Sequence, residues 1–160
     1  MRRIAQFEKI SKENFLLTGI YNEDDYNQYK LPLRATAGSA GYDFFAVKDF
    51  SVAPGETVTI PTGVRAKIED GWVLKIYPRS GLGFKYRLTL NNTVGIIDSD
   101  YYYSDNEGHI FIRMTNLGDK LLEVKKGQGF AQGIFLEYGI TYDDEVTSLR
   151  NGGFGSTDKK

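Results

Sequence analysis

Apolar and polar residues exchange places over short distances along this chain. Val64-Arg65-Ala66-Lys67-Ile68 alternates strictly, and Trp72-Val73-Leu74-Lys75-Ile76-Tyr77 does so in part. A period of two lays one side of a strand on a core and leaves the other to solvent. Tyr42 to Val47 is a dense aromatic run and Thr57 to Ile60 is β-branched. Further apolar runs cover Val94 to Ile97, His109 to Met114, Leu121 to Val124 and Phe130 to Tyr138. Turn signals fall between them at Pro54-Gly55, Pro61-Thr62-Gly63, Asp70-Gly71, Gly118-Asp119 and Lys126-Gly127. Short strands and turns recurring in this way predict an all-β fold, a sandwich, jelly roll or barrel with little helix. Helical pattern is confined to Ser11 to Leu17, with Ser11 as N-cap and Gly19 as stop, and to a turn after Ser80. Residues 18 to 30, with three acidic residues and three tyrosines, read as a loop. From Arg150 onward the chain is glycine-rich and polar, and reads as a mobile arm.

Composition narrows this picture. A chain of 160 residues supports one domain with a real core and not comfortably two. Its net charge of -1 offers no general attraction to nucleic acid or membrane, so any anionic ligand must be met by a local cluster. The absence of cysteine excludes disulfides, thiolate metal sites and a thiol nucleophile. No apolar run approaches the roughly 20 residues of a membrane span. The basic N-terminal tip is interrupted by Glu8 and Lys9 before any apolar region forms, so no signal peptide and a cytoplasmic location are expected. His109, the lone histidine, reads as a surface residue, and Lys125-Lys126 as a solvated turn.

Candidate chemistry is concentrated in five short stretches. They are Ala37 to Asp43 (AGSAGYD), Pro78 to Gly83 (PRSGLG), Gly95 to Tyr101 (GIIDSDY), Gly127 to Gln132 (GQGFAQ) and Gly152 to Thr157 (GGFGST). In the second, a strand runs into a tight turn where Arg79 can fork onto phosphate oxygens. There Ser80 adds a hydroxyl, and Gly81 lets backbone N–H groups come close to an anion. In the third, Asp98 ends an apolar strand, a place where a carboxylate can be oriented and partly desolvated, though also one where aspartates commonly cap turns. Phe154 is an aromatic ring without apolar neighbours, better suited to stacking on a base than to building a core.

Together, in this order and at nearly this spacing, the five stretches resemble the signature motifs of the trimeric dUTPase family, from about Leu31 to the end. The resemblance implies a single-domain distorted β-barrel or jelly roll of the dUTPase-like, β-clip type over residues 1–149. A C-terminal arm at 150–160 would close over the site. It further implies Mg2+-dependent hydrolysis of dUTP to dUMP and pyrophosphate, which keeps uracil out of DNA, by a homotrimer with shared active sites. On that likeness Asp98 is the general base that activates water. Arg79, Ser80 and Gly81 hold the triphosphate, and Gln132 lies by the α-phosphate and the water. Asn92 and the hairpin backbone at Gly95 and Ile97 pair with uracil, and Tyr101 lies beneath the deoxyribose. Arg150, Phe154, Gly155, Ser156 and Thr157 reach the nucleotide from the arm, and Asp43 supports the ion through water.

Three features depart from the family pattern. Tyr102 to Glu107 intervene before Gly108, predicting a longer loop. The last motif departs at both ends, with Arg150 separated from Gly152 by Asn151 alone and Asp158 standing where a glycine is usual. Residues 11 to 30 exceed the usual N-terminal region. The rival activity is dCTP deamination in a related fold, whose catalytic glutamate would fall at Arg113, a cation where a carboxylate is required. A second, regulatory protein-binding role, as in some phage members, would use 18–30 and 102–107 as partner surfaces.

Overall fold

Antiparallel pairing accounts for every named strand contact in the computed structural model, which describes residues 1–150. The strands are β1 (Ala5–Lys9), β2 (Leu33–Arg34), β3 (Tyr42–Phe45), β4 (Phe50–Val52), β5 (Thr57–Pro61) and β6 (Val64–Ile68). They continue with β7 (Trp72–Pro78), β8 (Leu88–Leu90), β9 (Gly95–Ile97), β10 (Phe111–Asn116), β11 (Leu122–Val124) and β12 (Gly129–Glu137). Three short helices, α1 (Lys12–Leu17), α2 (Glu23–Gln28) and α3 (Ser80–Tyr86), and a 3-10 turn at Ser99–Tyr103 complete the described residues. The largest sheet has five strands in the order β2-β3-β12-β7-β9, and β5-β10-β8 forms a second of three. Two further pairs, β1-β6 and β11-β4, close the remaining sides. These small sheets pack on one core, in which Phe44, Phe130, Leu74, Ile76, Ile112 and Met114 are almost wholly buried. The all-β expectation is met.

Strand β12 runs through the middle of the large sheet and sets its geometry. At Gly133 any side chain would meet Leu74 Cδ1 at 2.8 Å and Phe44 at 3.1 Å, so the glycine lets the core close over the strand. The register changes between Gly129 and Ala131, a bulge beside the end of β7. It shifts the end of β12 just where Pro78 leads into α3.

The helix expected after Ser11 forms as read. The Ser11 side chain accepts from the Asn14 N–H, and Gly19 follows the helix at φ +75°. Residues 18–30 are not a loop throughout, because they contain α2. Its start is fixed by a reciprocal capping box between Asn22 and Asp25. The capping role falls to a short aspartate, within a stretch whose tyrosines and acidic residues suggest a turn. Phe15 is fully buried and stacks on Tyr29, with ring centroids 5.1 Å apart and planes 5° from parallel. Tyr29 donates its hydroxyl to the Gly63 carbonyl, and so fastens the segment to the β5–β6 turn.

His109 is not at the surface. It is buried, its Nε2 accepts the Gly63 N–H at 2.9 Å, and β10 begins two residues later at Phe111. Burial lowers its pKa from 6.5 to about 4, against a smaller upward pull from Glu107. In the folded chain it therefore stays neutral until about pH 4, whereas unfolded it protonates near 6.5. The stability it contributes is complete above pH 6.5 and is lost as pH falls toward 4. This group should account for about 3 kcal/mol of acid destabilisation. His109→Gln keeps an acceptor for Gly63 without the titration. Urea unfolding at pH 7 and pH 4.5 should show a smaller loss for the variant, and equal losses would contradict the assignment.

Candidate active site

The second stretch lies where β7 runs out. Pro78 ends the strand, Arg79 occupies the N-cap position with extended backbone, and α3 begins at Ser80. A side chain added at Gly81 would have nothing within 4 Å, which leaves the backbone there open to an incoming group. Arg79 is half exposed, and its Nε sits 3.2 Å from Asp43 Oδ1 on β3. The pairing orients the guanidinium and leaves its terminal nitrogens for another anion. Gly129 closes the other side, since a Cβ there would lie 3.1 Å from Arg79 Nη1. Gln132 pairs in register with both Asp43 and Tyr77, and its Nε2 donates to the Pro78 carbonyl at 3.3 Å. At Gly41 a Cβ would fall 2.5 Å from Gln132 Oε1, so a side chain there would displace that amide oxygen. Residues far apart in sequence thus converge on one groove of about 520 Å³, lined among others by Tyr77, Arg79, Ser80, Phe84 and Gln132.

The third stretch forms a separate half. Strands β8 and β9 belong to different sheets and are joined by a tight hairpin turn closed by a single Leu90–Thr93 bridge, whose tip carries Asn91 and Asn92, with Thr93 in the left-handed region at φ 67°. A β-branched residue there is a backbone outlier, held by the Thr93 N–H to Leu90 carbonyl bond at 3.0 Å. Gly95 is needed for packing, as a Cβ would lie 3.0 Å from Ile76 Cβ. Between this hairpin and β10 is a cavity of about 490 Å³, mostly apolar, with Asn91, Asn92 and Arg113 at its polar positions. Ile97 is buried at its edge, while Asp98 stands half exposed after it. Tyr101 is buried, donates its hydroxyl to the His109 carbonyl at 2.6 Å, and has its pKa raised by that burial.

Arg150 lies on the hairpin side, with Nη2 2.6 Å from Asp98 Oδ2 and Nε 2.9 Å from Asp100 Oδ1. The resemblance implies contact with the terminal phosphate, but in this chain the guanidinium covers two carboxylates and does not line the Arg79 groove. Phe154, Gly155, Ser156 and Thr157 lie outside the described residues.

The two cavities share no lining residue among those described, and neighbouring residues of β7 divide them. Ile76 lines the hairpin cavity and Tyr77 lines the groove. Successive strand residues point to opposite faces of a sheet, so the cavities open on opposite sides of β7. The structure therefore gathers Asp43, Arg79, Ser80, Gly81 and Gln132 in one place and Asn92, Gly95 and Ile97 in another, with Asp98 and Arg150 paired beyond Ile97, while Tyr101 is buried against the His109 carbonyl and lines neither cavity. Sequence reasoning missed Phe84, an exposed ring on the groove, and Gly129, which abuts Arg79. Both sit inside or next to the motifs, Gly129 within Gly127 to Gln132 and Phe84 just after Gly83.

Carboxylates are too sparse for a protein-built metal cage. No group of three or more His, Cys, Asp or Glu converges among the described residues. Among the described residues Asp43, already paired with Arg79, is the only carboxylate in contact with the groove's arginine. This donor set fits a cation carried largely by phosphate oxygens and water.

The fold has close counterparts of known class. A crystal structure of the dUTPase from Streptococcus mutans is 36% identical with a TM-score of 0.67, covering 84% of this chain and 97% of that one. The dUTPase of phage phi11 of Staphylococcus aureus, in which a structural Mg(II) ion is coordinated, has a TM-score of 0.66 at 20% identity, a likeness of fold alone. Among relatives in sequence, the deoxyuridine 5'-triphosphate nucleotidohydrolase of Lactococcus lactis is 45% identical over 130 residues, 79% of this chain and 87% of its own length. That of Actinobacillus succinogenes is 43% identical over 141 residues, 83% of this chain and 90% of its own length. The dUTPase family profile matches residues 27–158. The chain belongs to the dUTPase family.

Proposed function

We propose that this protein is a dUTP diphosphatase that hydrolyses dUTP to dUMP and pyrophosphate at sites completed between chains of a homotrimer. The observation that carries the shared-site reading is the division at β7, where Ile76 and Tyr77 place the hairpin cavity and the arginine groove on opposite faces. In this reading one nucleotide draws on the hairpin of one copy and the groove of another.

In this reading the hairpin backbone and Asn92 meet the pairing edge of uracil, where an acceptor-donor-acceptor pattern leaves cytosine mispaired. Tyr101 lies beneath the deoxyribose and leaves no room for a 2′-hydroxyl. Asp98 accepts a proton from water as that water attacks the α-phosphorus in line with the leaving pyrophosphate. Arg79, held by Asp43, and Ser80 bind the phosphate oxygens, so that charge gathering on the leaving group meets donors already in place. Gln132 orients the water and the α-phosphate. Arg150 would have to leave Asp98 for that carboxylate to act, and the phosphates offer it a stronger partner. A Mg2+ ion, when bound with the triphosphate and supported by Asp43 through water, supplies further neutralisation of phosphate charge. Phe154, Gly155, Ser156 and Thr157 complete the enclosure, and the arm at 150–160 is assigned as the lid. No helix among the described residues is long and apolar enough to cross a membrane, and a cytoplasmic location is part of the proposal.

Turnover in ¹⁸O-labelled water tests the chemistry. The label should enter dUMP, pyrophosphate should appear in equal amount, and dCTP should release no ammonia. Label in the pyrophosphate, or dUDP and orthophosphate as products, would overturn it.

A further inference from the structure

The two segments that depart most from the family pattern meet in space. Glu107, in the long loop after Tyr101, holds a left-handed backbone at φ 62° although it is not glycine. Its Oε2 accepts from the Ser11 N–H at 3.1 Å, the Ser11 hydroxyl at 2.8 Å and the Asn14 side-chain amide. Burial raises its pKa, but these hydrogen bonds outweigh it and keep the carboxyl below the usual glutamate value. The strained backbone is thus held by the start of α1.

The same loop grips Tyr101. The Asn106 side-chain amide donates to the Tyr101 hydroxyl at 3.0 Å, and its oxygen accepts from the Gly108 N–H at 3.1 Å. Gly108 packs so tightly that a Cβ would lie 2.7 Å from the Tyr101 carbonyl oxygen. Next along the chain, Tyr102 donates to Glu8 on β1 and is covered by the Arg65 guanidinium, 3.6 Å from its ring centroid. The tyrosine is therefore set by a brace running from β1 and α1 through residues 102–108.

We infer that Glu107 is a positioning residue for sugar discrimination, fixing through Asn106 the place of Tyr101 and linking the N-terminal segment to selection against a 2′-hydroxyl. This rests on the reading of Tyr101 as the surface beneath the deoxyribose. It also gives the extra N-terminal residues a task inside the chain. A hydroxyl excluded by shape alone is rejected only as firmly as the wall is rigid.

The test compares kcat/KM for UTP and dUTP. Glu107→Ala, and separately the double change Ser11→Ala with Asn14→Ala on the other side of the contact, should each raise the UTP:dUTP ratio about 10-fold. Glu107→Gln, which keeps an acceptor, should restore most of the discrimination. A merely structural role would lower both turnovers by the same factor and leave the ratio unchanged, and that result overturns the inference. Tyr101→Ala separates the two layers. If it raises the ratio while the Glu107 and Ser11/Asn14 variants do not, only the positioning role fails. If it leaves the ratio unchanged, the reading of Tyr101 fails and the inference falls with it.

Discussion

Asp98→Asn should lower kcat by about 100-fold or more while dUTP still binds, the usual scale for loss of a general base. The substitution keeps the size of the side chain and one oxygen for the Arg150 contact now made at 2.6 Å. What it removes is the ability to take a proton from water. Folding should be little affected, because Asp98 is half exposed and caps no helix through its side chain. Single-turnover rates and dUTP affinity, measured side by side, separate chemistry from binding. A kcat within a few-fold of the parent would refute the role.

Arg79→Lys should lower kcat/KM for dUTP by about 100-fold, although charge is conserved. Arginine does two things here at once. Its Nε faces Asp43 at 3.2 Å, and its terminal nitrogens remain free to fork onto phosphate. A lysine ammonium is a single point that can satisfy the aspartate or the phosphate, but not both in one geometry. The loss should appear in kcat as well as KM, since charge on the leaving group grows in the transition state. Steady-state kinetics with dUTP provide the check. A variant with near-parental kcat/KM would show that simple positive charge is enough.

Much of this was legible in the sequence because its chemistry is written in short contiguous words. Arg79-Ser80-Gly81 and Gly95 to Asp98 each occupy one turn or hairpin, so local geometry follows from local residues. The alternation of Val64 to Ile68 likewise returned as β6, with Val64, Ala66 and Ile68 buried. What stayed hidden depends on pairing across the fold. That Asp43 meets Arg79, or that Gly41 and Gly129 make room for Gln132 and Arg79, follows from the β3-β12-β7 register and from no local pattern.

The remaining misreadings share one cause. A lone histidine is usually at the surface, yet His109 is buried because the Gly63 N–H, distant in sequence, supplies its partner. Residues 18–30 looked like a loop because Phe15, Tyr26 and Tyr29 form their aromatic cluster only when the helices fold back on the β5–β6 turn. Taken singly, 18–30 and 102–107 suggested surfaces for a partner. In the structure Glu107 reaches Ser11 and Asn14 at the start of α1, and Tyr21 and Tyr29 donate to the Pro61 and Gly63 carbonyls, so part of what each segment offers is met by its own chain.

Co-expression of two inactive variants, Asp98→Asn and Arg79→Ala, tests the division at β7 most directly. If Asp98 and Arg79 of one working site come from different chains, random mixing gives on the order of a quarter of all sites with both residues intact. The co-expressed population should then recover roughly that fraction of parental dUTP turnover, with a mass by light scattering three times the 18.0 kDa chain. No recovery, from mixtures shown by mass spectrometry to contain both variants, would place the two residues in the same chain's site and contradict the account.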